Sequence, residues 1–389
     1  ILLQRVGAVR VLQLARVINR YDFIDTIVRY LPRERFAVEV ATFDPKANIQ
    51  EPHYEALGIP HHLIPVQAMQ AYPQYLRAAF RLAALIKKRN ISILHTHHFW
   101  EGVVGALAKQ LYPSFKFIAH RHYMEDVVRV GGWKSYLLAK LEAFTYKSAD
   151  AIVVSTPTVA HFVRKQYAHQ SSLPLYEIPY GFELEAPKYQ PVSPQERSKL
   201  RQHYGAQEGE IIITNIGTHR LQKGQRELIR AFARLSAQLP QVRLWLVGTG
   251  PDTALLQQLA QPLGDRVRFW GWQPGERVRE FIGASDIIAH PTYSENFPQI
   301  MIEALSLERA LIISRVSGAN DMLTHKVNAW LISPQNEEEL YTGLYQLSTE
   351  SDLRLSLGQA GRKLLEEYPI HYTKINPHYE ALYTRLCSL

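Results

Sequence analysis

The sequence predicts an α/β protein made of two Rossmann-like, doubly wound domains. Short β-branched runs alternate with helical patterns along most of the chain, which is typical of βαβ units and parallel sheets. These runs fall into two series separated by a proline-rich stretch. The length of 389 residues also exceeds the size at which a single core keeps growing. Two domains of comparable size are therefore expected.

Each series of apolar runs predicts one parallel sheet. The first series is VRVLQLA from Val9, FAVEVATF from Phe36, ISILHTH from Ile91, FKFIAH from Phe115 and AIVVS from Ala151. The second series is EIIITNIG from Glu210, VRLWLVG from Val242, VRFWGW from Val267, DIIAHP from Asp286, ALIIS from Ala310 and AWLIS from Ala329. Most gaps between successive runs leave room for one helix, as parallel strands require.

The boundary between the domains is expected in residues 177–195, where four prolines interrupt any periodic pattern. We predict a first domain over residues 1–182 and a second over residues 183–370. Residues 371–389 form a separate helical segment, which we expect to pack back on the first domain. Apolar and aromatic residues recur there at helix spacing, namely Tyr379, Leu382, Tyr383 and Leu386.

Basic residues are concentrated in the first half of the chain. Residues 1–182 hold 22 Lys and Arg against 13 Asp and Glu, a net charge of +9, whereas residues 183–389 carry a net charge of −1. The first half is therefore expected to meet an anionic partner, either an acidic acceptor or the surface of an anionic membrane. Nucleic acid is not expected, because the positive residues are scattered over helices and no compact reading motif accompanies them.

The composition favours a cytoplasmic protein. No apolar run approaches the roughly 18 to 20 residues that span a bilayer. Cys387 is the single cysteine, so no internal disulfide can form, which suits a reducing compartment. Peripheral contact with the inner membrane surface stays an open alternative.

Two glutamates in PTYSENFPQIMIEALS, residues 291–306, form the sharpest candidate site. Pro298 favours the first turn of a helix, which places Glu295 in the preceding loop and Glu303 about two turns inside the helix. One carboxylate would then meet sugar hydroxyls, helix amides would meet phosphate oxygens, and the second carboxylate would meet a ribose diol. An amphipathic helix with two solvated glutamates explains the pattern equally well.

A second candidate is the loop in IGTHRLQKGQRELIRAF, where a strand ends at Gly217 and a helix begins near Gly224. Arg220 and Lys223 would lie at the carboxyl end of the sheet, where open α/β sheets bind ligands. Cations there can stabilise a diphosphate as it leaves. A third loop, LVGTGPD with Gly248, lacks the last glycine of a dinucleotide fingerprint, which argues against NAD.

Four histidines occur in pairs at two neighbouring strand ends, namely His95, His97, His120 and His122. Residues two apart on a strand share a face, so the four imidazoles could converge on a zinc ion. The alternative is that they bind substrate by hydrogen bonds. The chain contains no Asp-x-Asp pair to hold a catalytic divalent ion. We therefore expect neither a metal nor a cofactor.

The stretch YLRAAFRLAALIKKRN, from Tyr75, predicts a basic amphipathic helix. The more common role of such a helix is to cover a sheet with its lysines solvated. Binding flat on an anionic membrane is the alternative. Trp133 and Tyr136, beside Lys134 and Lys140, keep that alternative open.

Read in order, several motifs resemble glycosyltransferase family 4, the retaining GT-B enzymes. Its carboxyl-terminal half is matched by GTHRLQKGQRELIRAF, LWLVGTGPD, VRFWGWQP, ASDIIAHPTYSENFPQIMIEALS and SRVSGANDML, and its first half by ILHTHHFWEGVVGALA, FIAHRHY, SADAIVVS and IPYGFE. The resemblance implies two domains facing each other across a cleft. It also implies metal-independent, retaining transfer from a nucleotide-diphosphate sugar to a hydroxyl acceptor in polysaccharide or glycolipid biosynthesis, the acceptor being an anionic glycan or lipid-linked.

The resemblance also implies roles for single residues. Glu295 would hold the donor sugar, Glu303 the ribose and Lys223 the diphosphate, while His122 would face the sugar from the first domain. The catalytic set is therefore His122, Glu295 and Lys223. The donor-binding set contains Lys223, Glu295 and Glu303 together with Gly217, Arg220, Gly248, Trp272, Asn296 and Phe297.

Three positions depart from the family pattern. Thr218 stands where a phosphate-binding arginine is usual, so Arg220 is the candidate replacement. The first loop lacks the usual glycine pair, which leaves Arg16 or Arg20 for phosphate contact, and Asp321 replaces a glutamate. A catalytically silent scaffold or regulatory subunit of the same fold is therefore one alternative function. A nucleotide-sugar epimerase is another.

Overall fold

The chain divides into two compact units. The first unit is Ile1–Glu183 with Ile370–Leu389, and the second is Leu184–Pro369. The computed structural model describes residues 7–16, 22–43, 54, 56–66, 72–123, 132–167 and 174–388. The observed boundary between the units follows Glu183, and the last segment of the chain belongs to the first unit.

Both units contain parallel strands. Those of the first unit are β1 (Val9–Ala15), β2 (Phe36–Thr42), β3 (His61–Leu63), β4 (Ile93–His97), β5 (Lys116–Arg121), β6 (Ala151–Val154) and β7 (Leu175–Glu177). Those of the second unit are β8 (Ile211–Ile216), β9 (Val242–Val247), β10 (Val267–Gly271), β11 (Ile287–His290), β12 (Ala310–Ser314) and β13 (Trp330–Ile332).

Helices connect most of these strands. Those of the amino-terminal part are α1 (Asp22–Tyr30), α2 (Tyr72–Arg89), α3 (Phe99–Leu111), α4 (Gly132–Ser148) and α5 (Pro157–Gln166). The second unit contains α6 (Pro194–His203), α7 (Gln225–Gln238), α8 (Thr253–Ala260), α9 (Gly275–Ala284), α10 (Gln299–Ser306), α11 (Ser317–Met322), α12 (Glu337–Thr349) and α13 (Ser351–Glu367). The chain then returns to the first unit with α14 (Tyr372–Cys387).

Each sheet is doubly wound. The first has the strand order β3-β2-β1-β4-β5-β6-β7 and the second has the order β10-β9-β8-β11-β12-β13. Every strand pair is parallel. The order reverses between β1 and β4 and again between β8 and β11. The crevice outside the carboxyl ends of such strands is where open α/β sheets bind ligands.

The eleven strands predicted from the sequence are all present, and the structure adds β3 and β7. Each of these is only three residues long and lies at a sheet edge. Their side chains are half-buried or exposed, so neither strand has an apolar run that marks a buried strand. Because the predicted strands form two doubly wound parallel sheets, the predicted Rossmann-like fold class is confirmed.

Helix α14 packs on the first unit, as its apolar spacing predicted. Its side chains Tyr379, Leu382, Tyr383 and Leu386 are buried in a core with residues of β1, β2, β4, β5 and β6. Burial of each large side chain contributes on the order of 1.5–3 kcal/mol. The carboxyl-terminal helix is thus part of the first hydrophobic core.

Helix α2 covers the first sheet with its buried face, which includes Tyr75, Ala79, Leu82 and Ile86. Covering a sheet is the more common of the two roles open to this basic amphipathic helix. The opposite face of α2 is exposed. In the described part of the chain, no helix combines the length and the apolar character needed to cross a bilayer.

Candidate active site

Two loops at the carboxyl end of the second sheet are joined by hydrogen bonds. One follows β8 and carries Lys223, and the other follows β11 and carries Glu295. The backbone N–H of Tyr293 donates to the carbonyl of Gln222 at 2.7 Å. The hydroxyl of Thr292 donates to the same carbonyl at 3.1 Å. The two loops are therefore held together by groups adjacent to both candidate residues.

Gly224 allows this close approach. It precedes α7 in the left-handed region, with φ 70°. A Cβ atom at this position would lie 2.0 Å from the carbonyl oxygen of Pro291. Glycine alone combines that backbone conformation with the absence of a side chain. Lys223, one residue earlier, is thereby brought to the loop that follows β11.

Glu295 receives two polar partners on one oxygen. Lys223 Nζ lies 2.9 Å from Glu295 Oε2, and His290 Nε2 lies 2.8 Å from the same atom. Burial alone would raise the pKa of Glu295, but the charges and hydrogen bonds of His290 and Lys223 outweigh it and lower the pKa to about 2. Glu295 is therefore ionised at neutral pH.

The other oxygen of this carboxylate is free to bind a ligand. The side chains of Lys223 and Glu295 are 25% and 24% exposed. Within the described residues, Glu295 Oε1 accepts no hydrogen bond, whereas Oε2 is engaged with Lys223 and His290. The arrangement presents one carboxylate oxygen and one ammonium group to whatever occupies this edge of the sheet.

Glu303 lies on the helix that follows Glu295. Pro298 occupies the position just before α10, which begins at Gln299 rather than at the proline itself. Gln299 Nε2 donates to Glu303 Oε1 at 2.9 Å. Glu303 is half-buried and lies about 6 Å further along the helix axis than Gln299. Both predicted glutamates are therefore placed on one loop-and-helix segment.

The segment Asn296–Phe297 is fixed by a glycine of the next loop. The backbone N–H of Gly318 donates to the carbonyl of Asn296 at 2.7 Å. A Cβ atom on Gly318 would lie 2.5 Å from Cδ2 of Phe297 and 2.9 Å from the Asn296 carbonyl oxygen. The backbone that leads into α10 is thus positioned by close packing.

The loop that follows β9, with Gly248 and Gly250, packs closely against the loop that follows β8. Gly248 has φ 137°, and a Cβ atom there would lie 2.0 Å from the carbonyl oxygen of Gly217. Gly250 approaches the carbonyl oxygen of His219 in the same way, at 2.3 Å for a hypothetical Cβ. The absence of side chains at Gly248 and Gly250 therefore lets the two loops approach each other closely.

Two predicted donor contacts, Arg220 and Trp272, lie on the surface of the second unit, and so does Thr218, which stands where the family has an arginine. Thr218 and Arg220 are exposed, and Trp272 is 64% exposed. Within the described residues, Arg220 makes no ion pair. In the first unit Arg16 is half-buried at the end of β1, while Arg20 lies outside the described residues.

In the first unit, the four histidines at the ends of β4 and β5 hydrogen bond to one another. His95 Nε2 lies 3.2 Å from His120 Nδ1, and His97 Nδ1 lies 2.8 Å from His122 Nε2. Burial lowers the pKa of His95 to about 3, and burial with neighbouring imidazoles holds the pKa values of the other three well below the usual range. All four rings are therefore neutral.

The remaining nitrogens of these histidines bind polar side chains of the first unit. The partners are Tyr383 for His95, Gln13 for His97, Ser155 for His120 and Tyr180 for His122. Phe23 also stacks on His122, with ring centroids 4.9 Å apart. His122, the predicted catalytic histidine, thus has both nitrogens engaged by protein groups.

Sequence reasoning missed two of these polar partners. His290 is the last residue of β11 and Gln13 lies inside β1, so each is surrounded by the apolar residues of a strand. A polar residue at the carboxyl end of a buried parallel strand was the available signal for His290. Gln13 gave a similar signal, because a polar side chain buried in a strand requires a hydrogen-bond partner.

Two doubly wound units with parallel sheets are the architecture of the GT-B class of fold. A family model described as "Glycosyl transferases group 1" matches residues 196–364. A second, described as "Glycosyl transferase 4-like domain", matches residues 23–172. The chain belongs to the group 1 glycosyltransferases of the family 4 type, and it is a transferase enzyme.

Curated relatives are similar over most of the chain. N-acetyl-alpha-D-glucosaminyl L-malate synthase of Bacillus anthracis is 26% identical over 318 residues, which cover 80% of each chain. D-inositol 3-phosphate glycosyltransferase of Kribbella flavida is 24% identical over 304 residues, covering 74% of this chain and 70% of the relative.

Solved structures share the fold. Anabaena Alr3699/HepE in complex with UDP and glucose has a TM-score of 0.79 at 19% identity, with 96% of this chain and 99% of that chain covered. Sucrose-phosphate synthase from Thermosynechococcus elongatus has a TM-score of 0.80 at 21% identity, with 98% and 99% covered. WaaG, a glycosyltransferase involved in lipopolysaccharide biosynthesis, has a TM-score of 0.74 at 19% identity, with 96% and 99% covered.

Proposed function

We propose that this glycosyltransferase moves a sugar from a nucleotide-diphosphate donor to a hydroxyl acceptor, with retention of anomeric configuration and without a metal ion. The observation that carries the proposal is the contact between Lys223 and Glu295 in the loops joined through Gly224. A cation and a carboxylate at the carboxyl end of a parallel sheet suit a ligand with an anionic diphosphate and a hydroxyl-rich sugar.

Each group of this site has a proposed partner on the donor. Lys223 pairs with the diphosphate, and Glu295 Oε1 accepts hydrogen bonds from sugar hydroxyls. The backbone amides of Asn296 and Phe297 lie just before α10, where the helix dipole favours anionic oxygens. Glu303 accepts hydrogen bonds from the ribose diol. HepE, whose crystals hold UDP and glucose, supports this type of donor.

In the proposed reaction, the bond between the anomeric carbon and the diphosphate oxygen breaks as the acceptor oxygen attacks from the same face. The acceptor proton passes to the departing diphosphate, which needs no protein nucleophile. Negative charge grows on the diphosphate, and Lys223 stabilises that charge, with Arg220 as a second cation. The Lys223 ammonium supplies the positive charge that a divalent ion supplies in other transferases, and the chain has no Asp-x-Asp pair to hold such an ion.

Four further residues have proposed contacts with the donor. Gly217 and Gly248 let the loops lie close to it, Trp272 contacts the base, and His122 contacts the sugar. Since both nitrogens of His122 are engaged by His97 and Tyr180, a side-chain bond to the sugar requires His122 to exchange one of these partners.

The reaction is tested with the whole protein, a panel of uridine, guanosine and adenosine diphosphate sugars, and excess chelator. We expect one donor to be hydrolysed slowly in the absence of acceptor, with the chelator having no effect. Lys223→Ala should abolish this hydrolysis. Lys199→Ala, which removes an exposed lysine of α6, should retain it. Formation of an epimer would instead indicate an epimerase, and failure to bind any donor would indicate a silent scaffold.

We also propose that the acceptor reaches the first unit at an anionic membrane surface. Helices α2 and α4 both pack against α3. Their exposed faces carry apolar residues, including Phe80 at 62% and Trp133 at 71% exposure. Exposed basic residues adjoin them, namely Arg77, Arg81, Lys134 and Lys140. Aromatic rings beside cations are typical of surfaces that bind anionic lipids. This surface suits a lipid-linked or anionic glycan acceptor.

Vesicle sedimentation tests this contact. The wild-type protein should sediment with phosphatidylglycerol vesicles and not with phosphatidylcholine vesicles. Phe80→Ser combined with Trp133→Ser should reduce that binding at least about tenfold, because two large apolar side chains no longer enter the interface. Leu355→Ser is the matched control, since Leu355 is 63% exposed on α13 of the second unit. Equal binding to both kinds of vesicle would contradict the proposal.

A further inference from the structure

The histidine chain, defined as His95, His97, His120 and His122, has all eight ring nitrogens in hydrogen bonds. A neutral imidazole has one nitrogen that donates and one that accepts. Each bond in the chain therefore constrains the next, and one fixed donor determines the whole pattern. Gln13 supplies that fixed point, because its amide has a distinct donor and a distinct acceptor.

The first branch runs from the oxygen of the Gln13 amide. Gln13 Oε1 can only accept, so His97 Nε2 carries the proton and donates to it at 2.8 Å. His97 Nδ1 is then the acceptor, and His122 Nε2–H donates to it at 2.8 Å. His122 Nδ1 in turn accepts from the hydroxyl of Tyr180 at 2.7 Å. The state of His122 thus follows from the orientation of Gln13.

The second branch runs from the nitrogen of the same amide. Gln13 Nε2 donates to the hydroxyl oxygen of Tyr383 at 3.0 Å. His95 Nδ1, at 2.7 Å, is the acceptor for the buried proton of Tyr383, because an unpaired hydroxyl proton in the core would be costly. His95 Nε2–H then donates to His120 Nδ1 at 3.2 Å, and His120 Nε2–H donates to Ser155 Oγ at 3.0 Å. Both branches therefore place the proton of every imidazole on Nε2.

We propose that Gln13 is a positioning residue that fixes the tautomer and orientation of His122 through His97. Gln13 is fully buried and contacts no solvent, so its amide has no alternative partner among water molecules at the surface. The catalytic part of this proposal rests on the proposed contact between His122 and the donor sugar. The tautomer part rests on the hydrogen bonds alone.

A metal ion is the competing explanation of the cluster. The nitrogens of His95, His97 and His120 come within 4.8 Å of one another, which is close enough for three ligands of one ion. A metal would have to replace the hydrogen bonds among these rings. The three side chains are also at most 2% exposed, so a divalent charge would be buried beside neutral groups. The hydrogen-bonded chain accounts for every nitrogen without such a charge.

The tautomers are measured by NMR of the whole protein labelled with ¹⁵N-histidine, with metal content determined on the same sample. We expect four neutral histidines with the proton on Nε2 and no bound metal. His161→Asn, which removes an exposed histidine of α5, should leave all four signals unchanged. A proton on Nδ1 of His97 or His122, or a stoichiometric metal ion, would overturn the proposal.

Three variants separate positioning from packing. Gln13→Met keeps the volume but removes both amide contacts, so the tautomer of His122 should become mixed and kcat should fall at least about tenfold, as small misplacements of reacting groups do. Gln13→Glu retains an oxygen that accepts from His97 whether or not it is protonated, and should preserve the His122 tautomer and restore most of the turnover. Tyr383→Phe interrupts only the second branch, so it should change neither the tautomer of His122 nor the turnover.

Nucleotide affinity should stay unchanged in all three variants, because the proposed nucleotide contacts lie in the second unit. If kcat instead fell in all three variants in proportion to their loss of thermal stability, Gln13 would have only a packing role. If no donor is ever turned over, the proposed function fails, but the tautomer of His122 in wild type and Gln13→Met still decides whether Gln13 controls it.

Discussion

Lys223 Nζ lies 2.9 Å from Glu295 Oε2, so the cation proposed for the diphosphate and the carboxylate proposed for the sugar form one ion pair. The ammonium group is therefore shared between a protein anion and the anionic part of the donor. Changes at the two residues are expected to have opposite effects on binding of a nucleoside diphosphate and similar effects on turnover.

Lys223→Ala should weaken binding of the nucleoside diphosphate about tenfold to a hundredfold, because a hydrogen bond to a charged group contributes about 1.5–3 kcal/mol. Glu295→Gln should bind the same nucleotide at least as tightly as wild type, since Lys223 no longer has a competing carboxylate. Both variants should lose turnover. Titration calorimetry measures the affinities, with Lys199→Ala as the control. Weaker binding in Glu295→Gln would show that the carboxylate does not compete for Lys223.

Glu303 is expected to recognise the ribose. Wild type should bind a nucleoside diphosphate more tightly than its 2′-deoxy analogue, because the deoxy sugar cannot donate its second hydrogen bond to the carboxylate. In Glu303→Ala this difference should disappear, and overall affinity should fall about tenfold. Glu350→Ala, which removes an exposed glutamate at the start of α13, should behave as wild type. Retained discrimination in Glu303→Ala would assign the ribose to another residue.

Gly224→Ala should disturb the site more than a substitution at another glycine with a positive φ. The new Cβ would lie 2.0 Å from the carbonyl oxygen of Pro291, which forces apart the loops carrying Lys223 and Glu295. Gly264 also has a positive φ, but a Cβ there would meet nothing within 4 Å. Gly264→Ala should therefore lower the thermal midpoint modestly and keep nucleotide binding. Gly224→Ala should lower the thermal midpoint more and abolish nucleotide binding. Equal effects of the two substitutions would argue against close loop contact.

Glu101, on α3 of the first unit, should make stability depend on pH. Burial raises the pKa of its carboxyl from 4.5 to about 7. Between these values the folded protein keeps a proton that the unfolded chain releases, so stability falls as pH rises through this range. At pH 8 the cost is about 3 kcal/mol, from about 1.4 kcal/mol per pKa unit.

Thermal melts at pH 5 and pH 8 measure this effect. Glu101→Gln should reduce the drop in the midpoint of the first unit between the two values, because the amide carries no charge at either pH. Glu34→Gln, at an exposed glutamate of the same unit, should show the wild-type drop. If the Glu101→Gln and wild-type midpoints change in parallel, Glu101 is not the group that titrates.

The sequence predicted the strand positions and the location of Lys223 and Glu295 at one sheet edge, because both follow from local patterns. Apolar runs mark β8 and β11, and Lys223 and Glu295 lie in the loops that follow these strands, so both are expected at the same sheet edge. The contact between their loops was not predictable, because it depends on Gly224 approaching Pro291 from a distant part of the chain.

The histidine chain shows the same limit. The spacing of His95 and His97 indicated a shared face, but the tautomers depend on Gln13 of β1 and Tyr383 of α14, which lie far apart in the sequence. Local patterns placed each of these residues on its strand or helix. The hydrogen bonds between elements required the packed structure.

A crystal structure of the whole protein with a bound nucleoside diphosphate would show whether Lys223 and Glu303 bind the donor. The predicted result is a diphosphate oxygen about 3 Å from Lys223 Nζ and ribose hydroxyls within the same distance of the Glu303 carboxylate. A nucleotide bound with its diphosphate away from Lys223, or with its ribose on a different helix, would contradict the account.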